Sequence, residues 1–304
     1  MTQQSTLTEK KTIMRQQNTL TEGNVIPTLL KFAFPFLLAS LLQALYGAAD
    51  LLVVGQFDNS AQVSAVATGS QIMQTITSVI LGLTTGGTIL IGNYLGAKRY
   101  KDIAESVGTI ICIFGIIAAV LTVSMVILTG TITNLMNTPT EAFEYTKQYI
   151  FICSCGIPFI IGYNALSGIL RGLGNSKAPL LFIAIACATN IIVDLILVGG
   201  FHMGAPGAAI ATISAQAISF IIGVLYIKKI GFAFEFYRSH IRIEAEKAKK
   251  VFKLGLPIAL QDGLINISFI IITAVINVMG LTASASVGVV EKIIVFTMLP
   301  TIAF

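Results

Sequence analysis

The chain has 304 residues, of which 55% are hydrophobic and only 11% charged. A water-soluble domain of this size cannot enclose so much apolar surface, because its own exterior must still meet water. Nor does the net charge of +5 point to nucleic acid, since the basic residues sit in short segments between apolar runs and form no basic face interleaved with aromatics.

Residues 1–24 are polar and rich in Thr and Gln, lack an apolar core of the kind a signal peptide needs, and read as a cytoplasmic tail. Eight apolar segments follow, at 26–54, 63–90, 104–128, 149–170, 179–198, 205–227, 251–279 and 283–304. Each approaches or exceeds the ~20 residues that cross a bilayer as a helix. They must be helices, because lipid offers the backbone no hydrogen-bond partner, and the runs are too continuous for the alternating strands of a barrel. The predicted fold class is an all-α integral membrane protein, a polytopic helical bundle. Between the third and fourth spans, TPTEAFEYTKQY predicts a short interfacial helix starting near Thr138 and Pro139. With no Trp in the chain, Tyr and Phe must supply any aromatic belt.

Loop charges alternate along the chain. Lys10, Lys11, Arg15 and Lys31 flank the first span, Lys98, Arg99 and Lys101 follow the second, and Arg171 and Lys177 follow the fourth. The long loop after the sixth holds Lys228, Lys229, Arg238, Arg242, Lys247, Lys249, Lys250 and Lys253. The intervening loops GQFDNS, GGFHMG and GLT carry no Lys or Arg, and the loop after the third span carries Lys147 alone, beside Glu141 and Glu144. This bias predicts a cytoplasmic N-terminus, with the basic loop a solvated linker that could also touch anionic lipid. Cys112, Cys153, Cys155 and Cys187 lie in apolar runs without zinc-type spacing and read as small hydrophobes.

An internal repeat divides the chain. KFAFPFLLASLLQALYGAAD in the first span resembles KLGLPIALQDGLINISFIII in the seventh, each with a Pro four residues after a Lys (Lys31 and Pro35; Lys253 and Pro257). Spans one to six (25–230) then form one lobe, 231–250 a basic linker, and 251–304 the opening of a second lobe. The chain stops at TMLPTIAF without a polar cap, as expected of a fragment.

Charge inside a bilayer costs ~2.5–3.5 kcal/mol per group on insertion scales, so intramembrane carboxylates point to function. Asp50 lies late in the first span and Asp194 late in the fifth, both in the outer half on the predicted topology. Two carboxylates at one depth repel each other and lose solvation, which makes a proton or Na⁺ a natural partner. Asn190 shares a helix face with Asp194, and Gln43, Tyr46 and Asp50 make one polar stripe on an apolar helix. Thr212 in the sixth span adds a hydroxyl, completing an oxygen set suited to a hard cation or a proton. The second span carries Gln71 and Gln74 among many Ser and Thr, which reads either as a wet cavity wall or as helix–helix glue. Asp262 reads as interfacial, and the adjacent Glu291 and Lys292 point to different helix faces. Catalysis finds no support: His202 and His240 lie in loops, and no catalytic triad, metal cluster or phosphate loop is present.

The ordered set LTEGNVIPTLLKFAFP, AADLLVVG, GNYLGAKRYKDI, LRGLGNSKAPL and ATNIIVDLILVGGFHMGAPGAAIAT resembles the MATE (multidrug and toxic compound extrusion) family from about residue 21 to the end. The resemblance implies two six-helix lobes related by pseudo-two-fold symmetry, of which this chain has the first and the start of the second. It implies export of cationic and amphipathic compounds in exchange for Na⁺ or H⁺, with no other cofactor, by a monomer in the plasma membrane. It also implies a cation site at Asp50, Asn190, Asp194 and Thr212 and a cavity tyrosine at Tyr46; the polar Gln43, Gln71 and Gln74, read from their own positions, are the further substrate-cavity candidates. One departure stands out: Ile265 occupies the position where some members carry a glutamate in the seventh span, which shifts weight to the first lobe. Two rivals remain. A flippase for lipid-linked sugars would need a cationic cavity, whereas Arg171 and Lys177 read as loop residues. A membrane enzyme or sensor would need a catalytic cluster or a soluble domain.

Overall fold

With no water in the bilayer core, each spanning segment must satisfy its backbone within itself, and the regular elements described are all helical. A computed structural model describes residues 25–294 apart from 233, 288, 291 and 292. The helices in chain order are α1 (Val25–Phe57), α2 (Ser60–Gly96), α3 (Tyr100–Leu135), α4 (Phe143–Cys155), α5 (Ile157–Gly172), α6 (Lys177–Asp194), α7 (Gly204–Ile230) and α8 (Ala245–Val278). A π-helical turn, Leu195–Gly200, extends α6, and a short 3₁₀ turn, Arg238–His240, precedes α8. Among the described residues six helices are long and apolar enough to span a membrane, and the α4–α5 pair makes a seventh, broken span. The expected eighth span begins as helix at 281–287. Its remainder, Glu291 and Lys292 included, lies largely outside the described residues, as does the expected tail 1–24.

Two expectations change. The fourth span is not one rod: α4 and α5 meet at 50° around Gly156, with Pro158 in the first turn of α5. A Cβ on Gly156 would lie 2.1 Å from Ile213 Cδ1, so the break lets the backbone close against α7. The predicted interfacial helix is not separate either. Its first residues form turns, and helix begins at Phe143 and runs into the span. Both prolines of the repeat, Pro35 and Pro257, lie inside long helices, α1 and α8.

Asn59 makes the first hairpin tight. Its side chain accepts hydrogen bonds from the Ala61 and Gln62 amides at 3.0 and 3.2 Å, capping α2 soon after α1 ends. The α2 hydroxyls are satisfied locally. Thr75, Thr77, Thr84 and Thr85 each donate to the carbonyl four residues back, and Thr88 also reaches Gly168 O of α5 at 3.0 Å. Helix-internal bonding thus satisfies most of these hydroxyls, with interhelical links at Thr88, Ser64 and Thr68.

The opening of the second lobe lies along α2. At Gly82 a Cβ would come within 2.5 Å of Ala259 Cα, and at Gly86 within 2.4 Å of Gly255 N. Two small residues four apart on each helix thus bring the backbones together. A polar clasp closes the end that carries the basic loops. The buried Lys247 ammonium pairs with Asp102, lies 3.6 Å from Glu105, and donates to Tyr94 Oη at 3.3 Å. Lys250 donates to the same phenol at 3.2 Å, and Arg99, itself paired with Asp102 at 2.7 Å, stacks over the Tyr94 ring. At the opposite end Ser64 and Ser284 share a 2.6 Å hydrogen bond, and Asn277 donates to Met136 O at 2.8 Å. The predicted linker is shorter than 231–250, because α8 begins at Ala245 to deliver Lys247 to the clasp. Its stacked Phe232, Phe234 and Phe236 pack on the core rather than standing in solvent.

Gly86→Ala is expected to cost about 1–3 kcal/mol by overpacking a backbone contact. Gly115→Ala, with open space around its Cβ, is expected to be neutral or slightly stabilising. Thermal unfolding of the purified protein checks both; equal midpoints for the two variants would contradict the seam.

Candidate functional site

Three helices each contribute two polar side chains one turn apart: Tyr46 and Asp50 from α1, Asn190 and Asp194 from α6, and Thr212 and Gln216 from α7. This spacing puts each pair on one helix face, and the packing of α1 against α6 and α7 turns the three faces toward one another. Asp50 sits at the centre. One carboxylate oxygen accepts from Asn190 Nδ2 at 2.9 Å and the other from Thr212 Oγ1 at 2.8 Å. A turn away, Gln216 Nε2 donates to Tyr46 Oη at 2.9 Å. Asp50 and Asp194 are 4% and 0% exposed, so water does not solvate either charge from the surface.

The two carboxyl groups differ in what surrounds them. Hydrogen bonds to a charged group contribute about 1.5–3 kcal/mol each, and Asp50 has two. Asp194 faces the Asp50 carboxyl, a pairing that needs a shared proton or a cation between them, and neither of its buried oxygens has a donor from any other described residue. Asn190 Oδ1 and Gln216 Oε1 are likewise buried acceptors with no donor. Acceptor oxygens thus outnumber donors in this chamber, an arrangement that calls for a proton or a hard cation. No group of three or more His, Cys, Asp or Glu residues that could hold a metal ion occurs among the described residues.

Local backbone chemistry shapes the chamber. Asp194 is the last residue of α6 before the chain widens into the π turn, the kind of irregularity that re-aims side chains at functional positions. Beyond it the chain reverses through His202 and Gly204, both with positive φ, and Gln62 Oε1 accepts from the Ala205 amide at 2.8 Å, holding the start of α7.

All four predicted cation-site residues, Asp50, Asn190, Asp194 and Thr212, come together here, and so does Tyr46. Gln43 lies one turn before Tyr46 on α1, beside its hydroxyl, and also lines a cavity of about 50 Å³ with Ser40, Asn164, Ser167, Arg171 and Ser176. Gln71 is half-buried and Gln74 exposed on α2, and neither lines this cavity. Two residues escaped the sequence reading. Gln216 lies one turn from Thr212 on a largely apolar helix, the same signal that picked out Gln43, Tyr46 and Asp50. Arg171 belongs to the last turn of α5, not to a loop, and its guanidinium lies 5.2 Å over the Phe36 ring; Lys177 is the first residue of α6. Ile265 is half exposed on α8, and the half-buried Asp262 is on the same helix.

The structure is a helical membrane bundle with a buried carboxylate pair between three of its spans. The family model described as MatE matches residues 35–196. The chain is 30% identical over 284 residues to a probable multidrug resistance protein, YpnP, of Bacillus subtilis, covering 93% of this chain and 63% of that protein. It is 26% identical to the multidrug export protein MepA of Staphylococcus haemolyticus, covering 90% of this chain and 61% of the relative. The chain therefore belongs to the MATE family and spans less than two thirds of the length of these relatives. Its fold superposes on an inward-facing MATE family transporter (TM-score 0.78, 22% identity, 86% of this chain and 60% of that one) and on an outward-facing one (TM-score 0.81, 21% identity, 94% and 63%).

Thr212→Val leaves one Asp50 oxygen without its donor and is expected to cost about 1–3 kcal/mol, whereas Thr212→Ser keeps the hydroxyl and most of that stability. Thermal unfolding of the two variants at neutral pH checks this, and equal losses for both would contradict the hydrogen bond's contribution.

Proposed function

We propose that the protein is a cation-coupled secondary transporter. It exports cationic or amphipathic organic compounds in exchange for Na⁺ or H⁺, with its N-terminus in the cytoplasm of a plasma-membrane orientation set by the basic loops. The observation that carries the reading is Asp194, a fully buried carboxyl with no donor, beside an Asp50 that is already satisfied. The names of the relatives, multidrug resistance and multidrug export proteins, favour drug-like substrates.

In this mechanism a cation arriving from outside joins the acceptor oxygens of Asp194, Asn190 and Gln216. A proton or Na⁺ that instead neutralises Asp50 weakens the bonds from Asn190 and Thr212 that tie α1 to α6 and α7. Pro35 removes one backbone donor from α1 and gives it a place to bend once those ties loosen. Bending repositions Gln43 and Tyr46, and the substrate path continues along α2 past Gln71 and Gln74. The substrate and the cation then compete for one charged lobe, and the lobes rock between two states as each binds. A flippase for lipid-linked sugars would place cations, not two carboxylates, at the heart of the lobe.

Efflux of ethidium from vesicles, with Na⁺ and pH gradients imposed separately, tests the reading. Asp50→Asn and Asp194→Asn are each expected to abolish gradient-driven efflux. If both variants transport with unchanged cation dependence, the reading is wrong. The clasp gives a separate expectation: Lys247→Gln removes the buried charge that holds Asp102, Glu105 and Tyr94 to α8. Spin-label distances between the α2–α3 turn and the start of α8 should then broaden toward an opened state, and unchanged distances would contradict a gating role.

A further inference from the structure

We propose that Arg171, with Ser167 and Ser176, forms a seat for a single phosphate-type anion at the basic end of the first lobe, presented either by a lipid headgroup or as free phosphate. Arg171 is half-buried, and it makes no ion pair or hydrogen bond among the described residues. Its recorded contacts are an electrostatic interaction with the Tyr163 phenol and the face of Phe36, at 5.2 Å. Such a contact contributes about 0.5–2 kcal/mol and leaves all five guanidinium N–H donors unused. A basic residue in the last turn of a helix commonly serves the terminal carbonyls, but here the backbone already does so. Leu173 N, Gly174 N and Asn175 N donate to Ile169 O, Arg171 O and Leu170 O at 3.0, 2.9 and 2.9 Å, with Gly174 at φ +82° closing the cap. The guanidinium is therefore free for something else.

Its surroundings favour an anion. Arg171 lines the cavity of about 50 Å³ together with Ser167, Ser176, Asn164 and Gln43, and no Asp or Glu lines it. Ser167 is 3% exposed, and its hydroxyl lies beside the Tyr163 phenol without a well-aligned hydrogen bond. Ser176, also buried, precedes α6 and lines the cavity without a side-chain capping bond; Asn175 Oδ1 accepts from the Ala178 amide at 3.1 Å instead, so α6 offers the cavity the Ser176 hydroxyl and the positive end of its dipole. A drug-sized ligand needs ~300–1,000 Å³, which this cavity does not offer, whereas one small polyatomic group meets a guanidinium fork, two hydroxyls and a helix N-terminus there. The lobe then has two ends of opposite character, acceptor-rich around Asp194 and donor-rich around Arg171.

Native mass spectrometry of the detergent-purified protein tests this, with dioleoyl phosphatidylglycerol and phosphate-free dioleoylglycerol as paired probes and inorganic phosphate as a separate titrant. The wild type is expected to retain one phosphatidylglycerol in preference to dioleoylglycerol, or to bind inorganic phosphate. Arg171→Gln should weaken the bound species at least tenfold, Arg171→Lys should weaken it less, and the exposed Lys177→Gln should leave it unchanged. Retention of the lipid without competition by phosphate identifies a headgroup as the source; phosphate binding without lipid retention identifies the free anion. Should Arg171→Gln fail to give monodisperse protein, Ser167→Leu, which fills the cavity and leaves the charge, decides in its place. Wild-type binding of both probes by Arg171→Gln, or by Ser167→Leu in its stead, overturns the proposal.

Discussion

A carboxylate buried between apolar helices must be given donors by the protein, because the bilayer supplies none. Asp50 meets that demand by drawing Asn190 from α6 and Thr212 from α7 to within 2.9 Å of one side chain on α1. The rest of the lobe is arranged around that requirement. The π turn after Asp194, the Gln62 cap on α7 and the tight Asn59 hairpin fix the depth at which the three helices present their polar faces. With Asp50 satisfied, the remaining oxygens of Asp194, Asn190 and Gln216 have no donors left to them. The proposed cation coupling rests on that imbalance more than on the presence of two acids.

The same helices that hold the site also meet the second lobe. α2 packs on α5 at one side and on α8 at the other, with backbone-close contacts at Gly82 and Gly86. In the proposed mechanism, loosening at Asp50 would act through α1 on α2, whose seam with α8 is closely packed at Gly82 and Gly86. The clasp around Tyr94 and Lys247 stands at the basic end of that seam and the Ser64–Ser284 pair at the other. Closely packed cores shift between discrete arrangements rather than deforming smoothly, so contacts of this kind suit a two-state motion.

Much of this was legible in the sequence, and for definite reasons. Apolar runs in lipid leave the backbone one conformation, so α1, α2, α3, α6, α7 and α8 follow from hydropathy alone. Intramembrane acids are so costly that Asp50 and Asp194 stood out as candidates before any geometry was known, and the fold places them side by side. The break between α4 and α5 was harder to see, because Gly156 and Pro158 lie within an unbroken apolar run and the bend answers to Ile213 on another helix. Gln216 could have been found by extending the polar stripe from Thr212 by one turn. Arg171 was misplaced because the RGLGNSK stretch looks like a loop, whereas the helix continues to Gly172 and caps itself with Gly174. The length of α8 was hidden as well, since Ala245–Lys250 reads as charged linker until Asp102 and Tyr94 are placed beside Lys247.

The central claim is that the acceptor-rich chamber at Asp50 and Asp194 holds a cation that substrate binding displaces. Release of that cation can be counted directly, by adding ethidium to the purified protein in weakly buffered solution and following protons with an indicator dye and Na⁺ with a selective electrode. About one cation equivalent released per protein, lost in Asp194→Asn, is the predicted result. Ethidium binding with no release, and with an affinity independent of both pH and Na⁺, would contradict it.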